Sequence, residues 1–170
     1  ANMDIFFDNT LNNVMRTDIS TVRQMFCQLR FEYETGLELD KCALFGPVPD
    51  SQDAWIWHSN METTSKQREI LDIELGAPGC DNKIIYLFNI LGFSCHNEPY
   101  LIKAYHYHES QIRKYDRNTV KVDKPHYGIF PVLPVSGGYC DNHHTFDIVR
   151  ENDNLRRYVS KKLTLCEPFI

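Results

Sequence analysis

The chain has 170 residues and a net charge of −5, with 42% apolar, 12% aromatic and 24% charged side chains. That length suffices for one buried core, and the aromatic content excludes a disordered chain, so residues 1–170 are read as a single globular domain. No apolar run approaches the eighteen residues that would span a bilayer, and Asp4 and Asp8 stand where a signal peptide would carry positive charge.

In chain order, the first thirty residues read as two amphipathic helices. Phe7, Leu11, Val14 and Met15 fall at helical spacing, and Ile19, Val22, Met25, Phe26 and Leu29 repeat it after Arg16-Thr17-Asp18, with Asp18 as N-cap. A cap of that kind contributes about 1 kcal/mol.

Beyond Leu29 the pattern changes to short apolar or alternating runs. Strands are expected over 30–34, 41–45, 54–58, 69–75, 84–93, 100–108, 119–122, 129–133 and 145–149. Gly46-Pro47-Val48-Pro49, Gly76-Ala77-Pro78-Gly79, His96-Asn97-Glu98-Pro99 and Ser136-Gly137-Gly138 mark breaks between them. Leu155, Tyr158, Val159 and Leu163 fit a C-terminal helix face, although Tyr158, Val159, Thr164 and Leu165 also suit a strand. Regular strand-helix alternation is absent. The expected class is therefore α+β: mainly an antiparallel β-sheet or barrel, two N-terminal helices and a possible C-terminal helix.

Six cysteines occur without a Cys-x-x-Cys pair. Cys27 and Cys42 lie among apolar neighbours and read as core residues. Cys80, Cys95, Cys140 and Cys166 lie in turn-like or terminal contexts and read as disulfide candidates, which implies a secreted or lumenal setting. If 83–93 were a strand it would span roughly 36 Å, beyond a disulfide between Cys80 and Cys95. No Asn-x-Ser/Thr sequon supports the secreted reading.

Of the seven histidines, His106 and His108 share one face of an expected strand, and His143 sits in a Gly-flanked turn with Asp141 and His144. Such a set has the ligand types for zinc, or the acid, base and cation of a phosphodiesterase or nuclease when joined by Glu109, Arg113 or Lys114. The competing reading of Tyr105-His106-Tyr107-His108 is a plain alternating strand with tyrosines inward. Asp50, Asp72 and Glu74 partly match a metal-dependent nuclease pattern, but Gly76 replaces the expected lysine.

No nucleotide-binding glycine loop, His-Glu-x-x-His, Gly-x-Ser-x-Gly or EF-hand loop is present. Residues 1–100 carry 7 basic and 15 acidic side chains, the remainder 11 and 8. The basic residues include Arg117, Lys121, Lys124, Arg156, Arg157, Lys161 and Lys162, yet the net acidic charge disfavours nucleic acid as partner. Two functions follow. The first is a non-enzymatic binding protein that needs no cofactor and holds a protein partner or small ligand through Trp55, Trp57, Tyr105, Tyr107 and Tyr139. The second is a small hydrolase built on His106, His108 and His143, with or without zinc, so whether the chain is an enzyme stays open.

Overall fold

A computed structural model describes residues 1–61, 63–107 and 119–133, together with the backbones of two further strands, Phe146–Glu151 and Asn154–Val159. The organising element is the ten-residue strand β2 (Gln24–Tyr33), preceded by β1 (Ile5–Phe7) and two 3-10 turns, Asn9–Arg16 and Asp18–Ser20. Then come β3 (Ala43–Leu44), β4 (Gln52–Trp57), helices α1 (Ser65–Ile70) and α2 (Cys80–Ile90), β5 (Ser94–His96), β6 (Ala104–Tyr107) and β7 (His126–Ile129). The two further strands are β8 and β9.

β2 pairs antiparallel with β3 and β4 and parallel with β5 and β6, while β1 adds antiparallel to β6. The result is a six-stranded open mixed sheet; β7, β8 and β9 form a separate three-stranded antiparallel sheet. This corrects the expected antiparallel sheet or barrel. A parallel neighbour requires a long crossover, and the connection from β2 to its parallel partner β5, which carries β3, β4, α1 and α2, supplies it.

Both faces of β2 are covered, and that explains a second correction. Met25 and Cys27 pack with Ile85, Phe88 and Cys95 on the α2 side, whereas Phe26 packs with Ile19, Leu101 and Ile102 on the other. Gln24 through Phe31 are buried without alternation, so this stretch mimics a helical pattern while being a doubly covered strand. The second N-terminal helix is absent, and the first is a 3-10 turn capped by Asp8, whose Oδ1 accepts from the Thr10 N–H at 2.8 Å. Asp18 is no cap; it begins a 3-10 turn that lacks a side-chain cap.

α2 is the converse correction, since 84–93 was expected as a strand. It starts at Gly79, a left-handed N-cap with φ +88°, and places Asp81 in its first turn. It ends in a Schellman motif: the Gly92 N–H donates to the Asn89 carbonyl and the Phe93 N–H to the Phe88 carbonyl, with Gly92 at φ +85°. The Phe88 and Phe93 rings meet edge to face at 5.0 Å, which closes the motif with an apolar contact. α1 begins with a capping box in which Thr64 and Gln67 bond each other's backbone. Residues 69–75 therefore form the end of α1 and a turn, and Asp72 and Glu74 do not share a strand. Residues 119–122 form no strand either.

At the C-terminal end, Asn154–Val159 is strand β9, hairpinned onto β8, in place of the expected helix. β7 is held to the rest by side-chain amides. Asn97 Nδ2 donates to the Ile129 carbonyl at 2.9 Å while its Oδ1 accepts from the Leu29 N–H at 3.0 Å, and Asn82 Nδ2 donates to the Tyr127 carbonyl at 3.0 Å. Among the described residues no helix is long and apolar enough to cross a membrane.

Candidate functional site

Strand periodicity puts Trp55 and Trp57 on the same face of β4, and the fold turns that face toward α2. Between them lies a cavity of about 350 Å³. Trp55 and Trp57 form one wall, Ile84, Leu87 and Phe88 of α2 the other, and Leu71, Ile73 and Leu75 from the turn after α1 close a third side. Ala1, Asn2, Gly76 and Cys80 complete the lining. Trp57 is 48% exposed and Leu75 70%, so the apolar rim reaches solvent, whereas Trp55 is partly buried and packs on the α2 core. The Trp55 indole Nε1 is buried with no hydrogen-bond partner among the described residues. An unanswered buried donor costs about 1–3 kcal/mol.

A second cavity of about 410 Å³ adjoins the first and shares Asn2, Trp55, Gly76 and Cys80 with it. Its character is different, because Asp4, Asp53, Asp81 and Gln52 contribute to the lining. Asp53 is paired with Arg30, and Asp4 with His106. The Asp81 carboxyl is pushed up to about 6, first by burial and further by the charges of Asp53 and Asp50, against the backbone hydrogen bonds that lower it. Burial also raises the Cys80 thiol, whose Sγ accepts from the Gly76 N–H at 3.4 Å.

The tyrosines separate. Tyr105 is fully buried, stacked on Phe6 at 5.3 Å, and its hydroxyl donates to Asp8 Oδ2 at 3.0 Å. Tyr107 is 36% exposed and lines a different cavity of about 530 Å³ with Met3, Phe6, Tyr33 and Leu37. That cavity lies at the outer end of the sheet, and its rim residue Met3 is fully exposed.

His106 lies between two carboxylates, with Nδ1 3.1 Å from Glu32 Oε2 and Nε2 3.0 Å from Asp4 Oδ2. Both ring nitrogens are thus occupied by protein partners. Burial raises the Glu32 carboxyl, but the His106 hydrogen bond and the Arg30 charge outweigh it and hold Glu32 below the ordinary carboxylate range. Among the described residues no group of three or more His, Cys, Asp and Glu is arranged to hold a metal ion.

His108, Tyr139, Cys140, His143 and Cys166 lie outside the described residues. No disulfide joins any of Cys27, Cys42, Cys80 and Cys95. The premise that kept Cys80 and Cys95 apart, a strand over 83–93, is replaced by a helix whose eleven residues span about 16 Å.

Reading the sequence as strand at 84–93 and 69–75 hid the α2 and post-α1 walls of the cavity. The signals were nonetheless there: Thr64-x-x-Gln67 is a capping-box pattern, and Gly92 stands where a Schellman motif needs it. No family model matches the chain, and comparison with curated proteins and with solved structures yields no match.

Proposed function

We propose that this is a non-enzymatic binding protein that holds a small apolar ligand between β4 and α2. The observation that supports the reading is the meeting of both tryptophans at an apolar cavity of about 350 Å³. Ligand pockets of roughly 300–1,000 Å³ are mostly apolar with a few placed polar groups, and here the lining is mostly apolar side chains.

Trp55 and Trp57 are the only tryptophans in the chain, so their emission reports on this cavity alone. Titration with naphthylethanol is expected to change that emission saturably, and Trp57→Ala is expected to weaken binding about tenfold or more. Absence of a saturable change, with no heat of binding by calorimetry, overturns the reading.

A further inference from the structure

Residues 2–4 lead into β1 and take part in the walls of all three cavities described above. Asn2 lines the tryptophan cavity, Met3 and Asp4 the cavity of about 530 Å³, and all three the cavity of about 410 Å³. Both ends of this short segment are tied to one chain of charges. At one end the Asn2 N–H donates to the Asp53 carbonyl at 2.9 Å, and Asn2 Nδ2 donates to Asp53 Oδ1 at 2.7 Å. Asp53 pairs with Arg30, Arg30 Nε donates to Glu32 Oε1 at 2.9 Å, Glu32 contacts His106, and His106 returns to Asp4 at the other end.

The link through His106 depends on a proton count. A neutral imidazole has one N–H to donate and one nitrogen that accepts, whereas the imidazolium donates from both. Nδ1 stands 3.1 Å from Glu32 Oε2 and Nε2 3.0 Å from Asp4 Oδ2, and both partners are carboxylate oxygens, which accept. We infer that residues 2–4 form a strap along the cavity walls, fastened by a proton on His106. The charged groups set against the ring are Glu32 of β2, with Arg30 behind it, and Asp4 just ahead of β1. Ile5, opposite His106 on β1, is apolar, Tyr105 and Tyr107 take the other face of β6, and His108 lies outside the described residues. Loss of the proton falls unequally on the two carboxylates. Glu32 keeps Arg30, while Asp4, with its side chain 42% exposed, has no second ion pair among the described residues. Asp4 is therefore the partner released, and the neutral ring keeps its one N–H on Glu32. The strap fastens and loosens whatever the cavities hold, so the inference goes beyond the binding reading and is tested without a ligand.

The test records nitrogen-15 spectra of the His106 ring and amide protection factors over a pH series, on the wild-type chain and on Asp4→Asn. Once neutral, the wild-type ring is expected to be the Nδ1–H tautomer, because that nitrogen faces Glu32. As the ring becomes neutral, protection of the Asn2 and Tyr107 amides, which donate to the Asp53 and Asp4 carbonyls, is expected to fall about threefold relative to the β2 amides, the scale of a half-exposed ion pair. The β2 amides serve as reference because they report opening of the whole fold. In Asp4→Asn the step is expected to vanish. A neutral ring in the Nε2–H form overturns the inference, since the proton then stays with Asp4. So does protection that ignores the ring's titration, or a step that survives in Asp4→Asn. The tautomer is read on the wild type and stands as a test even if the variant does not fold.

Discussion

The rings of Trp57 and Phe88 lie 5.1 Å apart at an interplanar angle of 57°, and this contact joins the last residue of β4 to the inner face of α2. The two partners differ in burial: Phe88 is a core residue, 7% exposed, while half of Trp57 faces solvent. The structural and binding roles of the pair are therefore separable by substitution. Phe88→Ala removes a buried ring and is expected to lower stability by about 3–5 kcal/mol. Trp57→Ala is expected to cost much less stability yet to weaken apolar ligands. Urea midpoints beside ligand titration check this, and equal destabilisation by both variants would contradict it.

The helix start at Gly79 should not tolerate a side chain. Its φ of +88° is a left-handed conformation, and a Cβ there would stand 2.7 Å from His126 Cε1. Gly79→Ala is expected to cost about 1–3 kcal/mol, from backbone strain and displacement of the His126 ring, whose Nε2 contacts the Val122 carbonyl at 2.9 Å. Thermal unfolding measures the loss. A neutral result would mean that α2 can start with another geometry.

Two buried groups in neighbouring positions should shape the dependence of stability on pH. Burial pushes the Glu98 carboxyl up to about 8 from an ordinary value of 4.5, and its Oε1 has no hydrogen-bond partner among the described residues. The folded state keeps a proton that the unfolded chain has released, so stability from this group is full below about 4.5 and is lost as pH rises through about 8. Burial moves His96 the other way, down to about 4 from 6.5; its contribution is full above 6.5 and is lost as pH falls through about 4. Between 4.5 and 6.5 the two slopes oppose each other. Urea unfolding at a series of pH values is expected to show stability falling from pH 6.5 to 8, and Glu98→Gln is expected to flatten that limb. An unchanged limb in the variant would assign it to another group.

Thiol labelling should distinguish the cysteines. Cys27 and Cys95 are buried in the α2 core, whereas Cys80 is half-buried in the cavity wall. Iodoacetamide labelling followed by peptide mass mapping is expected to modify Cys80 before Cys27 and Cys95, slowly at neutral pH because burial holds its thiol protonated. A bound apolar ligand is expected to slow that reaction further. Labelling of Cys80 at the same rate with and without saturating ligand would place the ligand elsewhere.

Capping matters to the third wall of the cavity. Thr64 Oγ1 accepts from the Gln67 N–H at 3.2 Å and Gln67 Oε1 from the Thr64 N–H at 2.9 Å. α1 has six residues and buries none of them, so its caps supply much of its order. Thr64→Ala is expected to cost about 1 kcal/mol and to weaken ligand binding by loosening Leu71, Ile73 and Leu75. Amide exchange over 65–75 would report the loosening, and unchanged exchange would count against it.

What the sequence alone determined is what depends on neighbours along the chain. Gly46-Pro47 and Gly76-Ala77-Pro78-Gly79 fall between elements as turn chemistry requires, and β4, β6 and β8 fall inside or close to their expected spans. Trp55 and Trp57 share a face because a strand repeats every two residues, a property set before any tertiary contact forms. Only the tertiary structure decided that 24–31 is a strand and 84–90 a helix. Gln24, Gln28, Arg30 and Glu32 alternate with Met25, Cys27, Leu29 and Phe31, a period of two broken at Phe26, and both faces are buried from Gln24 to Phe31, with Met25 and Cys27 under α2 and Phe26 in the Ile19, Leu101 and Ile102 cluster. The β-branched and aromatic run Ile84-Ile85-Tyr86-Leu87-Phe88 resembles a strand by propensity; its caps at Gly79 and Gly92 and its packing on β2 and β7 outweigh that preference. The cavity follows from the same step. The tryptophan face was visible from spacing, but which wall stands opposite depends on the placement of α2, and long-range burial determined that.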